Sequence, residues 1–399
     1  MSKGIPEVLV IPAWFNHKNN IEGIFIHEFC EAMQRNNVKV TLLYVRTYSL
    51  KKFFDYIKPV KFNLRYSYRI LIIKHFKLFP QKQDHDALTR YLESLCTKVF
   101  KKVKKHTYDC IHFKSLCNNI TPFIGSRLAK EMKCPYIITE HYTSYEESKG
   151  RVFQPYLTKE FVSSVVSGSQ KNIAVSEFAA NLYKKYFQDN FDVIPNIVAI
   201  DFFRAPFKEI SLIEEFVFCF NGSLEPRKGV MELLEAFMRL SLTKNIKLHI
   251  IGEGSQREAI MEFVTKNKLT NHIYLHGKKS KAGVINMIDL SHALVSASEI
   301  ETFGLTILES HLRGRPVVAV NSGGVAELIN SNNGILCNPD QDKKIDNLME
   351  AMKQMIINYD HFNLTEIRNQ AIKDFSEENI SNRYKEIYLN NEKTYQESC

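Results

Sequence analysis

Residues 296–327, SASEIETFGLTILESHLRGRPVVAVNSGGVAE, decide how the rest of the chain is read. HALVSAS (292–298) is a short apolar run, and LTILESHL (305–312) repeats apolar side chains at helical spacing until Gly314. Pro316 then opens a second apolar run, VVAV (317–320). Strand, turn, helix and strand make up the unit of a doubly wound α/β domain. In that setting Glu301 is predicted at the C-terminal end of a strand, where open parallel sheets bind ligands. Glu309 falls about a turn inside the helix, whose free N–H groups point at the same crevice. One carboxylate can accept from sugar hydroxyls and the other from ribose hydroxyls. A diphosphate between them would meet the positive helix end and the amides of Phe303, Gly304, Leu305 and the Gly323-Gly324 loop. The pattern suits a nucleotide-sugar.

The stretch resembles the retaining glycosyltransferases of family 4. The residues that carry the resemblance are Glu301 and Glu309 with seven residues between them, Phe303-Gly304 inside that interval, then Gly314, Pro316, Val317 and Val318, and finally Gly323, Gly324 and Glu327. The resemblance implies the GT-B fold: two Rossmann-like doubly wound α/β domains facing a cleft, and a C-terminal helix crossing back to the N-terminal domain. The divisions expected are an acceptor domain over 1–195, a nucleotide-sugar donor domain over 196–375 and the returning helix over 376–399. It also implies retention of anomeric configuration, with Glu301 orienting the donor sugar and Glu309 the ribose. Without an enzymic nucleophile, attack comes from the leaving-group side and the phosphate takes the acceptor's proton.

Outward from that stretch, EVLVI (7–11), a helix with apolar Ile26, Phe29, Cys30 and Met33, and VKVTLLYV (38–45) open another doubly wound domain. The loop at Gly23 is where the resembling family approaches the donor phosphates and acceptor. PYIIT (135–139) ends in Glu140-His141. His141, just past a strand, corresponds to the family histidine that contacts the donor sugar, while Glu140 is either an acceptor-side residue or a cap for the following loop. Ile197 stands where the family commonly has glycine, and 197–214 reads as a loosely patterned linker. EFVFCF (215–220) restarts a second sheet, followed by Gly222, Ser223, Arg227, Lys228 and Gly229 before a helix. The family has arginine at the place of Ser223. Lys228 matches the family's lysine, so it is the first choice for diphosphate charge, and Arg227 is positioned in sequence to take over the missing role. Gly252-Glu253-Gly254 follows a strand, but Arg257 occupies the third glycine's place of a dinucleotide fingerprint. In the resembling family, Gly252, Gly254 and Gly277 flank the nucleotide base.

Composition sets the outer bounds. The chain has 399 residues, 44% hydrophobic and 24% charged, and this predicts a globular protein of two domains. Eight cysteines are scattered without metal-ligand spacing or a disulfide framework, which fits a reducing cytoplasm. No run is long enough to span a membrane. The net charge of +9 favours anionic partners. Residues 51–82 interleave basic and aromatic side chains, and Lys98, Lys101, Lys102, Lys104 and Lys105 extend the basic character. That surface suits peripheral contact with anionic lipid on the inner face of the membrane, or a solvated insertion; no nucleic-acid motif accompanies it. Asp84-His85-Asp86 spells D-x-D but precedes a helix, so helix capping is the expected role and no catalytic metal is expected. The function predicted is sugar transfer from a UDP- or GDP-linked donor to a hydroxyl of a glycan or lipid-linked acceptor, in cell-surface polysaccharide or glycolipid synthesis. The alternatives are a nucleotide-sugar epimerase, a phosphorylase, or a non-catalytic nucleotide-sugar-binding partner of a transferase.

Overall fold

Strand β1 (Glu7–Pro12) is apolar without alternation because it is covered on both faces, and Val8, Leu9 and Val10 are wholly buried. It is an interior strand of a parallel sheet. In this computed structural model the described residues are 4–13, 24–48, 67–76, 85–117, 120–142, 157–210, 215–242 and 244–390. They divide into one unit of Met1–Ile197 with Glu377–Cys399 and a second of Val198–Ser376.

The first unit runs β1, α1 (Ile24–Arg35), β2 (Lys39–Tyr48), β3 (Arg69–Phe76), α2 (His85–Val103), β4 (Cys110–Lys114), α3 (Ile120–Met132), β5 (Tyr136–Glu140), α4 (Lys159–Ser167), β6 (Lys171–Ala174), α5 (Glu177–Phe187) and β7 (Asp192–Val193). The sheet order is β3-β2-β1-β4-β5-β6-β7, all parallel, so chain direction across the sheet reverses between β1 and β4. That is its switch point. The predicted stripe of α1 is buried at Ile26, Phe29, Cys30 and Met33. Ser176 caps α5 by accepting from the Ala179 amide.

The second unit runs α6 (Ile200–Arg204), β8 (Phe216–Asn221), α7 (Val230–Ser241), β9 (Ile246–Ile251), α8 (Arg257–Lys266), β10 (Ile273–Leu275), α9 (Lys281–Asp289), β11 (Ala293–Ser296), α10 (Leu305–Leu312), β12 (Val317–Val320), β13 (Gly334–Cys337), α11 (Lys344–Ile357) and α12 (Leu364–Phe375). Its order is β10-β9-β8-β11-β12-β13, again wholly parallel, with the switch point between β8 and β11. The last helix, α13 (Glu377–Leu389), belongs to the first unit. Arg35 grips the Glu377 carboxylate with two hydrogen bonds, 2.9 Å and 2.6 Å, and Ile380, Tyr384 and Tyr388 are buried.

One expectation changes. The segment after Ile197 is not a loose linker, because three arginines fasten it to the second unit. Arg313 donates to the carbonyls of Ala205 (2.8 Å) and Pro206 (2.5 Å), Arg315 to Lys208 (2.7 Å) and Arg368 to Phe203 (2.7 Å), taking up the carbonyls at and beyond the end of α6. Arg313 and Arg315 are fully buried, and Asp289 meets Arg313 through two bonds of 2.8 and 2.9 Å. Ile197, where the resembling family commonly has glycine, does not adopt a positive φ.

Residues 51–66 and 77–82 of the basic-aromatic stretch, Asp84 and Gly23 lie outside the described residues. Helix α2 does begin at His85, directly after the D-x-D acid. Lys98 of this helix donates to the Lys74 carbonyl (2.7 Å) and so serves edge strand β3; Lys101 of the helix, and Lys104 and Lys105 just after it, are exposed. No helix among the described residues is long and apolar enough to cross a membrane.

Candidate functional site

At the C-terminal edge of the second sheet, the switch point gathers the ends of β8 and β11. Strand β8 finishes on Asn221, and the chain then makes the Gly222-Ser223 bend and a short 3-10 turn, Pro226–Lys228, before α7. Gly229, between that turn and the helix, has φ +65, and a Cβ there would lie 2.1 Å from the Ala297 carbonyl oxygen just after β11. Only glycine lets these two segments touch. That contact places Lys228 against Glu301: the Nζ donates to Oε1 of the carboxylate, and the two side chains are 16% and 18% exposed. Ser298 Oγ donates to the same oxygen at 2.9 Å.

Glu301 is itself anchored by its backbone, which forms an isolated parallel bridge with Gly323 and accepts the Gly324 amide at 2.8 Å. The Gly324 amide, expected to face a diphosphate, is therefore committed to the Glu301 carbonyl. Phe303 is buried, its ring edge-on to Phe375 at 6.1 Å. Gly304, with φ +99, starts α10 without any side-chain cap, so the first-turn amides at Leu305 and beyond carry the positive helix end that an anion can use. Glu309 lies one turn in, and Asn221 Nδ2 donates to its Oε2 at 3.2 Å.

Three further loops complete this edge. Gly252 has φ +146, and a Cβ on it would sit 1.8 Å from the Gly222 carbonyl oxygen; a Cβ on Gly254 would sit 2.5 Å from that of Leu224. The Gly252 amide bonds the Gly277 carbonyl at 3.0 Å, and the Leu224 amide bonds the Glu253 carbonyl at 3.0 Å. Gly252 and Gly254 thus let backbones approach, against Gly222 and Leu224, while Gly277 is needed for its φ of +63. Ser255 donates twice to Glu225, from its amide at 3.0 Å and its hydroxyl at 2.6 Å, which holds the Glu225 carboxyl below the usual range. Ser223 and Arg227 are exposed, and the Arg227 carbonyl accepts from the Glu299 amide at 2.9 Å.

At the C-terminal edge of the first sheet, Glu140 takes the loop-capping role. Its buried carboxylate accepts from the amides of Leu116 (2.7 Å), His141 (2.6 Å) and Tyr142 (2.8 Å) and from Ser115 Oγ (2.5 Å). His141 follows it, half-buried, with its ring 4.8 Å from that of Phe25 on α1. Burial, and secondly the charge of Lys114, pushes its pKa well below the usual imidazole value. The ring is neutral.

The two halves of the chain match two family models: Glycosyltransferase Family 4 over residues 23–202 and Glycosyl transferases group 1 over residues 203–373. The chain belongs to the family 4 glycosyltransferases. An uncharacterized glycosyltransferase of Methanocaldococcus jannaschii is 31% identical over 242 residues, 59% of this chain and 62% of that protein. N-acetyl-alpha-D-glucosaminyl L-malate synthase of Bacillus anthracis is 27% identical over 164 residues, 40% of this chain and 42% of its own length. The matches therefore span less than two thirds of these relatives. Sucrose-phosphate synthase of Thermosynechococcus elongatus has the same fold, with a TM-score of 0.73 at 16% identity, covering 96% of this chain and 98% of that one. The fold class of this family 4 member is GT-B, with a parallel doubly wound sheet in each unit.

Three residues escape a sequence reading of this glycosyltransferase. Asn221 and Ser298, which hold Glu309 and Glu301, look like ordinary strand-end polar residues. Lys114 is 3% exposed at the end of β4, and burial pulls its pKa down to about 7. A charged residue closing the apolar run CIHFK was the available signal.

Proposed function

We propose that this protein transfers a sugar from a nucleoside-diphosphate donor to the hydroxyl of a glycan or lipid-linked acceptor, with retention of configuration. The observation that supports this most is the contact of Lys228 with Glu301, and of Asn221 with Glu309, at the switch point of the second sheet, beside a helix start that has no side-chain cap. Glu309, oriented by Asn221, accepts from the ribose hydroxyls. Glu301 orients the sugar, and His141 contributes a neutral hydrogen-bonding ring to it. Lys228, the first-turn amides of α10 and Arg227 stabilise the charge that grows on the departing diphosphate, where one such donor is worth on the order of 10²–10³ in rate. With that charge supplied by side chains and a helix end, the reaction as proposed requires no metal. The Bacillus relative, named for an N-acetylglucosaminyl product, supports a hexosyl or N-acetylhexosaminyl donor. The exposed Lys101 of α2, with Lys104 and Lys105 just after that helix, supports peripheral contact of the first unit with anionic membrane on the cytoplasmic side.

The test is to supply purified protein with UDP- and GDP-sugars and a lipid or glycan acceptor, and follow nucleoside diphosphate release and the anomeric configuration of the product. Acceptor-dependent release with an unchanged anomer is expected. Conversion of the donor without any acceptor would replace this reading with an epimerase.

A further inference from the structure

A cavity of about 500 Å³ lies beside the arginines that fasten the segment after Ile197, wholly within the second unit. One wall is a face of α9, where Ala282, Ile285, Asn286 and Asp289 fall at i, i+3, i+4 and i+7. The other comes from α6 and the chain just after it. Its size suits a small organic molecule, and Lys228, Glu301 and Glu309 of the donor edge do not line it. Its walls hold more positive charge than they neutralise. Ala205, Pro206, Lys208 and Asp289 line the cavity, and theirs are the oxygens that the fully buried Arg313 and Arg315 bond, so two guanidinium groups stand directly behind the wall. Arg204 and Lys208, which are exposed, add two cations on the solvent side. Both acids of the lining are already paired, Asp289 with Arg313 and Asp201 with Lys281 at 3.5 Å. Among the described residues, Arg204, Lys208 and Arg315 have no carboxylate partner.

We propose that this cavity is a second binding site, separate from the donor edge, for an organic phosphate with an apolar body. Arg204 and Lys208 take the phosphate, which is close to doubly charged at neutral pH and so matches two uncompensated cations better than a carboxylate does. The buried arginines add a field that low-dielectric surroundings screen poorly. Ile200, Ala205 and Ile285 give the cavity an apolar interior that can receive a short hydrocarbon portion. A lipid phosphate and a soluble phosphate ester share this chemistry, and the arms of the experiment separate them.

The experiment is calorimetric titration of the full chain with hexyl phosphate, inorganic phosphate and hexanol. Hexyl phosphate should bind at one site, roughly tenfold or more tighter than either control, since burying two methylene groups already supplies that factor. Replacing both cations, Arg204→Gln with Lys208→Gln, should weaken it by about ten- to twentyfold, up to about fivefold for each exposed cation. Ala282→Trp fills the cavity from an exposed helix position and should abolish the binding. Both variants should keep the wild-type melting temperature and leave binding of UDP or GDP unchanged. If Ala282→Trp folds poorly, the charge variant decides alone. Sedimentation with phosphatidylcholine vesicles, with and without phosphatidic acid, then gives the source. Pelleting that needs phosphatidic acid and falls in the charge variant assigns a lipid phosphate, and pelleting that the variant leaves unchanged, with hexyl phosphate still bound, assigns a soluble ester. Hexyl phosphate that binds no tighter than inorganic phosphate, or whose binding neither variant changes, would overturn the proposal.

Discussion

Replacing Glu301 by glutamine should tighten the binding of a free nucleoside diphosphate while nearly abolishing transfer. In the structure Lys228 is already engaged: its ammonium donates to Glu301 Oε1, which also receives Ser298. A diphosphate that takes Lys228 must first break that charge-assisted bond. Bonds to charged groups are worth about 1.5–3 kcal/mol. With side chains 16% and 18% exposed, solvent weakens the pair, and about 1–2 kcal/mol is a fair net value. Glutamine keeps the shape and loses the charge, so the competitor for Lys228 disappears and the dissociation constant falls by a factor of roughly 5–30. Transfer falls by on the order of 10²–10³, because the sugar loses its carboxylate acceptor. Calorimetric titration of wild type and Glu301→Gln with UDP and GDP measures the first effect, and single-turnover transfer the second. Equal or weaker binding to the variant would refute the reasoning, since it would mean that Lys228 does not exchange its partner for the diphosphate.

Other outcomes follow from the same geometry. Asn221→Ala removes a hydrogen bond that orients Glu309 and should weaken nucleoside diphosphate binding by about five- to tenfold, with most of the preference for ribose over 2′-deoxyribose lost; the comparison of the two nucleotides reads this. Gly252→Ala forces a Cβ into the Gly222 carbonyl at positive φ and should lower the melting temperature by many degrees. Arg313→Met takes from the buried Asp289 its ion-pair partner, a loss of about 3–5 kcal/mol measurable by urea unfolding. His311, buried on α10, has its pKa lowered to about 4, so between pH ~6.5 and ~4 the unfolded chain binds a proton that the folded one does not. Stability falls as pH falls through that window, by up to about 1.4 kcal/mol per unit from this group, and His311→Asn should flatten the slope correspondingly.

Much of the molecule was legible because apolar runs, turn glycines and strand-end positions carry it. Glu301, Phe303, Gly304 and Glu309 could be placed on a strand-helix unit from spacing alone, and the stripe of α1 from its period. What spacing does not record is long-range pairing. That Lys228 contacts Glu301 depends on Gly229 touching Ala297, 68 positions away in the chain and invisible in any local pattern. The arginines at 313, 315 and 368 read as ordinary surface charges, yet they gather the carbonyls of 202–208 and make an apparent linker part of a folded unit. Lys114 was missed for a related reason: a lysine at a strand end normally snorkels to water, and only the aromatic cover from α1 and from α13, some 270 residues later, makes it buried.

The central claim, a nucleoside-diphosphate site at the edge of the second sheet, is tested most directly by a thermal-shift panel of UDP, GDP, ADP and CMP, with and without magnesium, on wild type and Glu309→Ala. One nucleoside diphosphate should raise the melting temperature by mass action, equally without magnesium, and the rise should vanish in the variant. Stabilisation by none of them, or an equal rise in Glu309→Ala, would contradict it.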